Sequence, residues 1–173
     1  MLIVPLQWLF VMVVAVTVHE LGHLTALRLF GVRPTGLHVD LAGIRLRIPP
    51  LPPWQELVCA ASGPAASGLL VLLSGLFPRL ALCALVHGLF NLVPVYPLDG
   101  GRVLRSFLIL LFKENTACRL SDIIGTGVLL LITLFCFYLV RYLGVAPLLA
   151  AVLLGIRSLE RKRPCKSVHL RVQ

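Results

Sequence analysis

The chain has 173 residues, of which 58% are apolar and 13% charged, against about 25% charged in an average soluble domain. With a mean hydropathy of +0.96, that balance excludes an ordinary soluble fold and points to an all-α polytopic membrane protein. The net charge of +9 would suggest nucleic acid in a soluble chain. In a membrane protein basic residues mark cytoplasmic loops instead, so no nucleic-acid partner is expected.

The first predicted span is Leu2 to Val18, with the helix continuing to about Phe30 before Gly31 and Pro34 end it. Met1 to Gln7 lacks the basic residues of a signal peptide, so the segment reads as a true span. No ionisable side chain precedes Val18; then come His19-Glu20-Leu21-Gly22-His23. In a helix, His19 and His23 share one face, one turn apart. Two imidazoles at that spacing suit zinc, and Glu20 is placed to take a proton from a water at the metal. An acidic residue at mid-membrane costs roughly 2.5–3.5 kcal/mol on insertion scales, so such a cluster implies function rather than a solvated helix face.

Next, Leu37 to Leu41 and Ile44 to Ile48 alternate apolar and polar residues around Ala42-Gly43, the pattern of a small β-hairpin. His38 and Asp40 fall on its polar face with Arg45 and Arg47, as solvated or ion-paired strand residues. Pro49 to Pro53 stops the hairpin. A second span, Trp54 to Phe77, holds the small-residue run Ala60 to Gly68, a seam for close helix packing. Pro64 should kink it. A third span, Leu80 to Val95, leads into Asn91-Leu92-Val93-Pro94-Val95-Tyr96-Pro97-Leu98-Asp99-Gly100.

Zinc held by two histidines needs a further protein ligand, and Asp99 is the candidate. Pro94 and Pro97 cannot sit in a regular helix, and Gly100 and Gly101 permit unusual backbone angles. The third span is therefore expected to fray where the carboxylate is presented. Arg102 to Lys113 reads as a surface helix, Ile123 to Val140 as a fourth span and Val145 to Ile156 as a short fifth. This gives about five transmembrane helices in one domain, residues 1–157, and a basic tail, 158–173. The five cysteines are an odd number without a CxxC pair, so no cysteine metal site is expected.

Lysine and arginine number four, one, four, one and six in the successive loops and tail. The alternation puts the N-terminus outside and the C-terminus in the cytoplasm, with His23 and Asp99 toward the cytoplasmic side.

His19-Glu20-Leu21-Gly22-His23 and Asn91 to Gly100 together resemble the motifs of the site-2 protease family of intramembrane zinc metalloproteases. The resemblance covers residues 1 to about 112. It implies zinc bound by His19, His23 and Asp99, Glu20 as catalytic base, and Asn91 in contact with the substrate or the oxyanion. Ser62-Gly63-Pro64 is similar to the family's Gly-Pro signature, but Ser67 stands where members usually carry an asparagine. No stretch between the motifs is long enough for a PDZ domain, and the compact layout looks most like the stage IV sporulation protein FB branch. That likeness implies a bacterial cytoplasmic membrane and a sigma-factor precursor as substrate. The expected partners are a membrane-associated protein substrate, the lipid bilayer and regulatory membrane proteins. Two rivals are a catalytically silent scaffold, against which the intact Glu20 counts, and a metal transporter, whose ligands would lie mid-span on several helices.

Overall fold

The computed structural model describes residues 6–33, 36–40 and 43–160. The start of the first predicted span, Pro34, the residues 41–42 and all but the first three residues of the tail lie outside them. So do the side chains of His38 and Asp40. The order is α1 (Leu6–Leu29), β1 (Gly36–Asp40), β2 (Gly43–Arg47), α2 (Pro53–Leu72), α3 (Pro78–Asn91), α4 (Asp99–Leu111), α5 (Glu114–Leu143) and α6 (Ala146–Glu160). The chain forms two compact units, Met1–Leu92 and Val93–Gln173.

In the first unit, α1, α2 and α3 pack against one another pairwise. Gly31 ends α1 with φ 67°, and Val32 N–H donates to the Leu27 carbonyl at 3.0 Å. That left-handed cap is one glycine adopts without steric cost. Thr17 and Thr25 donate their hydroxyls to the carbonyls of Val13 and Leu21 on α1, so these polar groups are satisfied within the helix, as hydrocarbon requires. Pro53 and Pro78 open α2 and α3, where a missing N–H costs nothing. α2 continues through Pro64 as one helix.

The run of small residues in α2 is where α1 comes closest. A Cβ on Gly22 would lie 2.5 Å from the Ser62 carbonyl oxygen and 2.9 Å from Ala66 Cβ. At the other end of this contact Ala26, Leu27 and Cys59 form a buried cluster, capped by Phe30, Ile48 and Leu51. Phe30 meets Trp54 edge-on at 5.2 Å. Arg79, at the start of α3, donates to Gln7 at 2.8 Å and lies over the Trp8 ring, fixing the start of α1. β1 and β2 pair antiparallel, Leu37 opposite Leu46 and Val39 opposite Ile44.

In the second unit α4 packs on α5 and α5 on α6. Two expectations are corrected here. Asp99 does not sit at a frayed end of the third span. α3 stops at Asn91 and Asp99 opens the next helix, with Arg102 N–H donating to the Leu98 carbonyl at 3.1 Å. The helix prefers a carboxylate in its first turn, where unpaired N–H groups carry partial positive charge. Nor do Gly100 and Gly101 adopt unusual angles: the positive-φ glycines among the described residues are Gly31 and Gly144. Gly101 is required by crowding instead, since a Cβ there would lie 2.5 Å from the Val95 carbonyl carbon and nearer still to Tyr96 N.

The five-span count is not confirmed. Among the described residues three helices are long and apolar enough to cross a membrane, α1, α2 and α5. The 14 residues of α3 reach only about 21 Å at 1.5 Å per residue, short of a hydrocarbon core of about 30 Å. α6, with 15 residues, is short for the same reason.

Candidate metal centre

The first unit brings two predicted ligands together. His19 is fully buried on α1 and His23 half-buried one turn later, with ring centroids 5.0 Å apart. One nitrogen of each ring lies within 4.8 Å of the other's. Both rings are held by α2. His23 Nδ1–H donates to the Cys59 carbonyl at 2.6 Å. A carbonyl can only accept, so in the neutral ring the lone pair is left on Nε2. His19 Nδ1 meets the Ser67 hydroxyl at 2.9 Å, and with Ser67 accepting, the lone pair of a neutral ring would lie on Nε2. Cys59 is itself steadied by the Ser62 hydroxyl, which donates to the same carbonyl at 2.7 Å.

Gly63 makes room for the two nitrogens. A Cβ at this position would lie 2.7 Å from His19 Nε2 and would overlap His23 Nε2 outright. Two lone pairs thus converge on a patch of α2 from which a side chain is barred. That donor pair, each ring held from behind by α2, suits a borderline metal such as zinc. Ser67 is 1% exposed and bonds His19 directly, so the residue standing in place of the family's asparagine has a role of its own.

Glu20 is exposed on α1, beside His19. Asn91, the last residue of α3, donates from Nδ2 to the His87 carbonyl at 3.0 Å and pairs with His87 Nε2 at 3.1 Å. The His87 ring meets His19 edge-on, centroids 4.7 Å apart. His87 Nε2 thus engages Asn91, and the ring borders the metal-site histidine.

Asp99 belongs to the second unit. Its side chain is 9% exposed, and Arg102 Nη1 donates to Oδ1 at 3.3 Å, one turn along α4. Sequence reasoning missed Ser67, Gly63 and the Cys59 carbonyl as supports of the histidines. The Gly-Pro signature and the small-residue run were the available signals.

These features define a helical protein of membrane type with a histidine pair prepared for a metal. Residues 71–135 match the model of Peptidase family M50. The chain is 30% identical to a zinc metalloprotease of Methanocaldococcus jannaschii, over 70% of this chain and 40% of that one. It is 31% identical to a Synechocystis sp. protein assigned as a zinc metalloprotease, over 65% and 34% respectively. It therefore spans less than half the length of these curated relatives. The solved site-2 protease from Methanocaldococcus jannaschii superposes with a TM-score of 0.66 at 25% identity, covering 90% of this chain and 77% of that one. These likenesses all point one way, to similarity with the peptidase M50, or site-2 protease, family.

Proposed function

We propose that the protein is an intramembrane zinc metalloendopeptidase, cutting a membrane-associated protein near the cytoplasmic face. The observation that carries this reading is a pair of imidazoles, each bonded to α2 through Nδ1, whose Nε2 atoms converge over Gly63. His19, His23 and Asp99 are a donor set suited to one zinc ion, with Asp99 as the third ligand. Zinc held there would supply a Lewis acid that acidifies water and polarises the scissile carbonyl.

Glu20, exposed one residue from His19, takes the proton of the attacking water and returns it to the leaving amine. Asn91 contacts the substrate. A helical substrate must unwind before its amides can be reached, and the β1–β2 hairpin offers an edge to the extended strand. The finer reading, that the substrate is a sigma-factor precursor processed during sporulation in a bacterial cytoplasmic membrane, rests on the compact layout of the motifs. The N-terminus outside and C-terminus inside rest on the alternation of basic loops.

The test pairs zinc content with cleavage of a single-span reporter by wild type and Glu20→Gln. Zinc retained with cleavage reduced at least about 100-fold supports the proposal. Unchanged cleavage refutes Glu20 as base, and a wild type that binds zinc without cleaving favours the scaffold.

A further inference from the structure

A primary amide has two N–H donors and one oxygen acceptor, so its bonds decide what it can still offer. In Asn91 both hydrogens of Nδ2 are committed within α3, one to the His87 carbonyl at 3.0 Å and one to His87 Nε2 at 3.1 Å. The carbonyl fixes which end of the amide is nitrogen. Nε2 can then only be the acceptor of that bond. What Asn91 keeps for a substrate is Oδ1, which accepts no hydrogen bond among the described residues. An oxyanion needs a donor, and this amide has none left.

The anchor is itself anchored. The His87 ring packs edge-on against His19 at 4.7 Å, and His19 is tied to Ser67. Contacts from Ser67 through His19 and His87 therefore reach the Asn91 amide.

We infer that His87 is a positioning residue: it holds the Asn91 amide so that Oδ1 captures a backbone N–H of an unwound substrate, rather than stabilising the oxyanion. This rests on the peptidase reading and deepens it. The chemistry also selects for extended peptide. A backbone N–H inside a substrate helix is already bonded four residues back, and only an unwound one is available.

The test measures affinity separately from turnover. A synthetic single-span peptide with a helix-breaking pair near its end is titrated against the full chain carrying Glu20→Gln, zinc-loaded, in detergent. Companion peptides replace one amide at a time by an ester, which has no N–H. At one position the ester is expected to bind roughly 3- to 10-fold more weakly, the loss of one hydrogen bond. Adding Asn91→Ala or His87→Leu should weaken the all-amide peptide by a similar factor and abolish discrimination against that ester, with zinc content unchanged. The double variant should be no worse than either single one. His87→Gln, whose Oε1 can accept the same bond, should restore binding.

Discrimination that survives Asn91→Ala overturns the inference, as does His87→Leu that leaves affinity intact or strips zinc. In the Glu20-intact background, a fall in kcat of about 100-fold or more for Asn91→Ala at unchanged KM would mark an oxyanion role and overturn it too. Absence of any cleavage by zinc-loaded wild type is a separate result, which sinks the peptidase reading and not the affinity pattern.

Discussion

At His19 and His23 the ring proton decides what each histidine can bind. Nδ1 is occupied by Ser67 in one case and by the Cys59 carbonyl in the other, so each ring is turned before metal arrives, and the carbonyl also fixes the tautomer of His23. Outer-shell bonds of this kind are worth about 10- to 100-fold in metal affinity. Ser67→Ala should therefore weaken zinc by at least about tenfold, read by competition with a chelating dye, while helix content is unchanged. Gly63→Ala should cost more, because its methyl would occupy the space of both Nε2 atoms. Normal zinc in Gly63→Ala would mean that metal binds elsewhere. The HExxH pair was legible because its geometry is local, two residues four apart on one helix. Ser67 and Gly63 as supports of the rings were not, because nothing in their own neighbourhoods reveals which face of α2 meets α1.

At the scale of elements, the span prediction followed apolar runs, and a run does not determine helix length. Leu80 to Val95 reads as one greasy segment, yet α3 ends at Asn91 and the two prolines fall in the connection to α4. The prolines announced a break without saying that Asp99 would begin a new helix. Gly101 was noticed for its freedom, whereas crowding against Val95 and Tyr96 is what requires it. Gly101→Val should shift that connection and lower zinc affinity at least about tenfold, by the sensitivity of ligand orientation. Unaltered zinc binding would dissociate Asp99 from the metal. The alternation along residues 37–48 carries its own test. Ile44 faces Val39 across the hairpin; Ile44→Pro should abolish reporter cleavage with zinc still bound, and undiminished cleavage would remove the strand-edge role.

Across the whole molecule, many large apolar side chains of α5 are exposed, Leu130, Leu131, Leu134 and Phe135 among them. Apolar surface on that scale is stable only against lipid or another protein. Composition alone made that legible, as it did the helical class, because both are sums over many residues. The division at Leu92 and Val93 was not legible, since it depends on which helices pack and not on their sequences. Removing zinc with a strong chelator should stop reporter cleavage and leave helical content within about 10% of the starting value, most helical stability coming from packing rather than metal. Readdition of zinc should restore cleavage. Global loss of helix on chelation would point instead to a structural metal.

The most direct test is zinc-edge X-ray absorption, with metal stoichiometry, on wild type and Asp99→Ala in detergent. The account predicts one zinc per chain with two imidazole nitrogens at about 2.0–2.1 Å and carboxylate oxygen completing the protein ligands. It predicts at least a tenfold loss of affinity in Asp99→Ala, on the order of a lost ligand. An identical spectrum and undiminished affinity in Asp99→Ala would contradict it.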